Sequence, residues 1–272
     1  MSLVAALVVE PVVDPAELWA AGFLAALAWA VLASRRRRLD ARATFWAALA
    51  GGVLGLWGGH LVGLLDYGAD GPWTWARFWT GGKSWHGGLV GGAAGALLAL
   101  RLLRQPVLRH ADVLAGALPL GYAIGRVGCF MHGDDYGAPA TLPWSVRYHP
   151  DTEAFWGQLR DGLVSPADPL TVPVHPVQLY HALFGILLLV ALGQVPTEPP
   201  GRRLGLLLVL YGAGRFALEW LRGERRPALG PLTLHQGVAL GLVTAGSALL
   251  LAIARRRKAN AAAAAPGAAA AS

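Results

Sequence analysis

Charge is scarce in this chain. Only 14% of its 272 residues are Asp, Glu, Lys or Arg and 55% are hydrophobic, whereas a soluble domain carries about 25% charged residues. With a mean hydropathy of +0.46, that shortage excludes an ordinary soluble domain and points to an integral membrane protein. Cysteine is nearly absent. Cys129 stands alone, which excludes an intramolecular disulfide and a zinc site built from several thiolates. A basic N-terminal start is missing as well. Residues 1–17 carry Glu10, Asp14 and Glu17 instead, so they are not expected to be a cleaved signal peptide. Neither an internal repeat nor a metal-ligand pattern is visible.

What is present is a series of long apolar runs. About 20 apolar residues cross a hydrocarbon layer roughly 30 Å thick, and backbone polar groups in lipid must be satisfied internally, which makes such segments helices. The expected fold is therefore all-α and polytopic, with seven transmembrane helices over 17–34, 44–65, 86–103, 111–127, 176–195, 204–221 and 231–254. Pro119 and several glycines interrupt the fourth. Glycine pairs at Gly51-Gly52, Gly58-Gly59, Gly87-Gly88 and Gly91-Gly92 suit close helix packing. With seven spans, Arg35 to Arg38 and Arg42, Arg101/Arg104/Arg109, Arg202/Arg203 and Arg255 to Lys258 all fall on one side. Basic residues favour the cytoplasm, so the N-terminus is expected outside and the C-terminus inside. The net charge of +7 then reflects this bias, and no nucleic-acid partner is expected. Residues 1–258 read as one membrane domain. Residues 128–175 form a small external head between the fourth and fifth spans, and 259–272 an Ala-rich disordered or frayed tail. A Trp-rich outer loop over 66–85 reads as an interfacial stretch.

Three polar clusters interrupt the apolar pattern near the outer boundary: Ser84 to Gly88, Arg126 to Gly137, and Tyr211, Arg215, Glu219 and Arg222. The last four are spaced four, four and three apart, which places them on one helix face. Charge at membrane depth is costly and marks function. Two arginines at a bilayer boundary imply an anionic lipid head group. Plainer readings stand beside these: an Arg215–Glu219 pair within one helix, an interfacial His86, solvated Asp134 and Asp135, and a small buried Cys129.

The motifs HGGL (86–89), GRVGCF…GDDYG (125–137), HPVQLY (175–180) and RFALEWLR (215–222), taken in that order, resemble the prolipoprotein diacylglyceryl transferase family over roughly 40–240. The resemblance implies a bacterial inner-membrane enzyme with seven spans and a periplasmic head. Such an enzyme moves a diacylglyceryl group from phosphatidylglycerol to the lipobox cysteine thiol of a preprolipoprotein signal peptide. A thioether forms and glycerol phosphate leaves. No cofactor or metal is implied. The implied catalytic residues are His86, Arg126, Arg215 and Glu219. The implied substrate-binding residues are Gly87, Gly88, Cys129, Gly133, Asp134, Tyr136, Gly137, Tyr211 and Arg222. The arginines would grip the departing phosphate. His86 would deprotonate the thiol or support it with a hydrogen bond, and Glu219 would orient an arginine or act as a rival base.

Four positions depart from the family pattern. Cys129 stands where Asn is usual, Asp134 where Glu is frequent, His181 where Glu is usual and His60 where Arg is common. No tyrosine motif is found in the first span. Two other functional classes stay open on these residues: a phospholipid-binding or transport protein without covalent chemistry, and a structural membrane subunit.

Overall fold

A computed structural model describes residues 6–10, 14–67, 84–224 and 227–264. Its frame is a set of long helices: α1 (Pro15–Arg36), α2 (Ala41–Tyr67), α3 (Trp85–Leu102), α4 (Val107–His132), α6 (Val177–Gly193), α7 (Arg202–Leu218) and α8 (Leu234–Ala264). A short amphipathic α5 (Glu153–Arg160) lies between α4 and α6. By length and composition, α1, α2, α4, α7 and α8 are apolar enough to cross a membrane, and α6 is apolar but shorter. Large apolar side chains such as Leu32, Val53, Leu187 and Leu251 face outward, as a lipid-facing surface requires.

The helix ends follow from the sequence. Asp14 accepts from Ala16 N at 2.9 Å and Pro15 opens α1, a favourable start because the proline lacks only a donor that would be unpaired there. Thr233 and Gln236 cap α8 reciprocally: Thr233 N donates to Gln236 Oε1 at 3.0 Å, and Gln236 N donates to Thr233 Oγ1 at 3.2 Å. This is a capping box. The start of α7 is capped from another helix, with the Asp112 carboxylate of α4 accepting from Gly201 N and Leu204 N at 2.7 and 2.9 Å. Helix α4 runs through Pro119 and on to His132, beyond the expected end at 127. Arg126 and Cys129 are therefore helical. Helix α8 likewise continues past 254 to Ala264, since alanine is the strongest helix former. Residues 265–272 lie outside the described residues, as does most of the Trp-rich 66–85 stretch.

Helices α2 and α3 pack along a seam of glycines, α1 packs against α4, α4 against α6, and α7 against α8. On the first seam Gly58 and Gly87 face each other. A Cβ added at Gly87 would strike the Gly58 carbonyl oxygen, so the side-chain-free surface is what permits the contact.

Residues 133–176 and the N-terminal strand build a small module. Strand β1 (Leu7–Val8) pairs in parallel with β2 (Val146–Arg147), and a core of Val9, Tyr136, Val146, Tyr148, Ala154 and Val174 closes over Phe130. The contribution of the N-terminal strand and the helix α5 were not expected from the sequence. Strands β3 (Pro227–Leu229) and β4 (Leu232–Thr233) form a hairpin leading into α8.

Candidate active site

Helix α4 ends at Gly133, whose φ of 77° is the left-handed conformation that suits a helix C-terminus. A Cβ there would also stand 2.9 Å from Thr152. The chain then passes through Asp134 to Gly137, and this loop is fixed from two sides. Gln178, fully buried at the start of α6, donates through Nε2 to Asp134 O at 2.7 Å and to Tyr148 OH at 3.2 Å. Ala138 N donates to Leu221 O at 2.8 Å and Gly223 N to Tyr136 O at 3.0 Å, zipping the loop to the segment after α7. Gly137 bridges Arg222 directly.

That zipper sets Arg222 beside Asp135. Asp135 places Oδ2 2.5 Å from Arg126 Nη1 and Oδ1 2.5 Å from Arg222 Nη2. Arg222 Nε lies 3.8 Å from Glu219, and Glu219 pairs with Arg215 one helical turn earlier. Glu219 also accepts from Thr233 Oγ1 at 2.9 Å and lies 3.6 Å from His235 Nδ1. The chain of charges thus runs Arg126, Asp135, Arg222, Glu219, Arg215. All three arginines and Glu219 are buried. Among the described residues, three guanidinium groups against two carboxylates leave one positive charge in excess, and buried charge calls for a counter-ion. Among the described residues, the buried Arg215 Nε has no hydrogen-bond partner.

An aromatic wall continues this chain around the site. The Arg126 guanidinium sits 5.2 Å over the Tyr122 ring. Tyr122 meets Tyr211 edge-on at 5.5 Å, Tyr211 stacks on Trp85 at 6.1 Å, and Trp85 meets His86 at 5.4 Å. His86 faces His235 at 4.6 Å, which returns to Glu219. Tyr122 OH also hydrogen-bonds His181 Nδ1 at 2.7 Å. His181 Nε2 is buried without a hydrogen-bond partner among the described residues.

The circuit brings together His86, Arg126, Tyr211, Arg215, Glu219 and Arg222, drawn from α3, α4, α7 and the segment beyond. One reading needs correction. Tyr211, Arg215, Glu219 and Arg222 do not share a single helix face, because α7 ends at Leu218, a 3-10 turn carries Glu219–Leu221, and Arg222 is extended. Arg222 reaches the cluster through the strand-like zipper instead. Gly87 lies in the α2–α3 seam and Gly88 faces Gly55 across it at an open distance. Gly133, Tyr136 and Gly137 form the frame of the loop. Tyr136 belongs to the buried core of the small module. His60 is buried on α2.

Cys129, half-buried on the last turn of α4, lies near Asp134. Burial, and then the adjacent Asp135 charge, push Asp134 up to about 6. Asp135 moves the other way. Partial burial would raise it, but Arg222 and then Arg126 hold it well below the usual carboxylate range. His132, Asp134 and Glu153 bring three ligand-type atoms within 4.8 Å of one another. His132 and Glu153 are exposed, and Asp134 joins the trio to the loop that carries Asp135.

Sequence reasoning did not assign Asp135, Tyr122, His181, Thr233 or His235 to the site. The doubled acid at 134–135 gave no sign of which member turns inward. His235 follows the site motifs by more than a dozen residues, and only the β3–β4 hairpin returns it.

The profile of the family described as Prolipoprotein diacylglyceryl transferase matches residues 16–252. Relatives that carry the name phosphatidylglycerol–prolipoprotein diacylglyceryl transferase include the following three. That of Symbiobacterium thermophilum is 37% identical over 179 residues, covering 64% of this chain and 62% of the relative. That of Cupriavidus pinatubonensis is 32% identical over 255 residues, covering 86% and 84%. That of Methylocella silvestris is 30% identical over 277 residues, covering 88% and 93%.

Proposed function

The chain belongs to the prolipoprotein diacylglyceryl transferase family, and from that premise we propose that it transfers the diacylglyceryl group of phosphatidylglycerol to the lipobox cysteine thiol of preprolipoproteins. The observation that carries this reading is the joining of Arg126, Arg222 and Arg215 into one buried cluster with an excess positive charge. A phosphodiester is an anion whose oxygens match guanidinium forks.

In this reaction a sulfur–carbon bond forms at the glyceryl carbon and the carbon–oxygen bond to phosphate breaks. The electron pair leaves with the phosphate oxygen. The arginines stabilise the charge that develops there, in a site shielded from water. The thiol proton has to leave because the thiolate is the nucleophile. We assign it to His86, with His235 relaying charge toward Glu219 across the 4.6 Å and 3.6 Å separations. Glu219 also orients Arg215. Tyr211, Tyr122 and Trp85 supply apolar walls on which the glyceryl and acyl portions can rest.

The proposed setting is the bacterial cytoplasmic membrane, crossed by α1, α2, α3, α4, α6, α7 and α8. The basic runs at the ends of α1, α3 and α8 and the starts of α4 and α7 would then be cytoplasmic. The charge circuit lies toward the opposite ends of the same helices, near the small module, which would be periplasmic. The test is complementation of a bacterial strain conditionally depleted of its own transferase. The wild-type gene is expected to restore growth and Arg215→Ala to fail while still inserting. Failure of the well-expressed wild type would count against the proposal.

A further inference from the structure

Asp135 is the one member of the arginine cluster that combines full engagement with access to solvent. Its two oxygens are divided, one on Arg126 and one on Arg222, both at 2.5 Å. Its side chain is 31% exposed, whereas those of Arg126 and Arg222 are 10% and 8% exposed. Of the three side chains, that of Asp135 is therefore the most open to an approaching anion. The carboxylate bridges the two arginines as two non-bridging oxygens of a phosphodiester would, since both groups match the guanidinium fork.

The backbone on both sides of Asp135 is tied by hydrogen bonds. Asp134 O is held by Gln178, Tyr136 O by Gly223 N and Cys129 O by Gly133 N. Asp135 itself has a φ of 53°, the left-handed conformation that aspartate tolerates better than most residues. With both neighbours tied, release of the arginines would call on the side-chain torsions of Asp135 rather than on the loop backbone. A phosphodiester carries one negative charge, as the carboxylate does, so the exchange leaves the buried cluster's net charge unchanged. The leaving glycerol phosphate carries more negative charge and would be held harder by the same arginines.

We propose that the Asp135 carboxylate is a resident stand-in for the substrate phosphate, yielding Arg126 and Arg222 to the phosphodiester and reclaiming them to expel the glycerol phosphate product. The inference rests on the proposed transfer for its substrate, but the exchange of anions can be measured without any transfer. Asp135 is a positioning residue here, acting through the two arginines.

The experiment is titration of the full-length protein in detergent with glycerol phosphate and, separately, inorganic phosphate, comparing wild type with Asp135→Asn. The variant is expected to bind glycerol phosphate about tenfold more tightly, equivalent to 1.4 kcal/mol. In transfer assays, its KM for phosphatidylglycerol and its kcat should fall together, because entry is eased and product release slowed. A purely structural counter-ion would instead raise KM or leave it alone. Equal or weaker binding of glycerol phosphate by Asp135→Asn overturns the proposal. If Asp135→Asn does not fold alone, purification in glycerol phosphate, but not in glycerol, should recover folded protein. Failure of that recovery also overturns it. A wild type that transfers nothing while Asp135→Asn binds glycerol phosphate more tightly would sink the proposed function and leave this inference standing.

Discussion

His86 and His235 face each other with ring centroids 4.6 Å apart, although one opens α3 and the other opens α8. The pairing connects the only histidine of the HGGL motif to Glu219, which His235 Nδ1 approaches at 3.6 Å. His235 thus stands between the His86 ring and the Glu219 carboxylate.

His235→Phe keeps a ring against His86 and removes the nitrogen facing Glu219. General acid–base groups contribute about 10²–10⁴-fold. The expected result is a fall in kcat of about 10²-fold with little change in KM for phosphatidylglycerol, read by steady-state transfer kinetics. A variant with wild-type kcat would remove His235 from the proton route.

Glu219 is the anionic partner of Arg215 and Arg222 and also receives the Thr233 hydroxyl. Glu219→Gln would leave three arginines facing a single carboxylate. Breaking a buried ion pair from one side costs about 3–5 kcal/mol. Thermal unfolding in detergent should show a large drop in midpoint, partly recovered by added phosphate. An unchanged midpoint would mean the pair contributes nothing to the fold.

The α2–α3 seam makes opposite predictions for two adjacent glycines. Gly87→Ala would drive a methyl group into the Gly58 carbonyl, and overpacking of this kind costs about 1–3 kcal/mol. Gly88→Ala would set its Cβ 3.7 Å from Gly55 O, an ordinary contact. The first variant should lose thermal stability and the second should match wild type. Equal behaviour would contradict the seam.

Asp134 gives the protein a stability slope in mild acid. Its folded value is about 6, above the roughly 3.9 of an unfolded chain. The folded state binds the proton more tightly, so this residue's contribution is fully present below about pH 4 and is lost as pH rises through 6. The difference is roughly 1–3 kcal/mol. Asp135 acts in the opposite sense. Its depressed value stabilises the fold above about pH 4, and that stability is lost only as pH falls through the folded value. Asp134→Asn should flatten the unfolding midpoint between pH 4 and 6. A variant with the wild-type slope would assign the titration elsewhere.

Much of this arrangement could be read from the chain because apolar length and polar interruption are local properties. Helices α1, α2 and α4 appear as long apolar runs, and Arg126 and Arg215 stand out by the cost of charge in such runs. What escaped were contacts made across elements. Asp135 turns inward only because Gln178 and the 221–223 zipper fix its loop. Arg222 leaves the α7 face because the helix gives way to a 3-10 turn. His235 arrives by a hairpin. The Leu7–Val8 strand is too short for periodicity to reveal, and its partner lies far along the chain.

In the proposed reaction the buried arginines grip a phosphate whose departure makes a thioether. The most direct test supplies purified protein with phosphatidylglycerol labelled in its acyl chains and a peptide bearing a lipobox cysteine. The wild type is predicted to transfer label to the peptide sulfur, and Arg126→Ala and Arg215→Ala to lose at least about 10²-fold in rate while remaining folded. Label that stays on the lipid with wild type, or arginine variants that transfer as fast as wild type, would contradict the account.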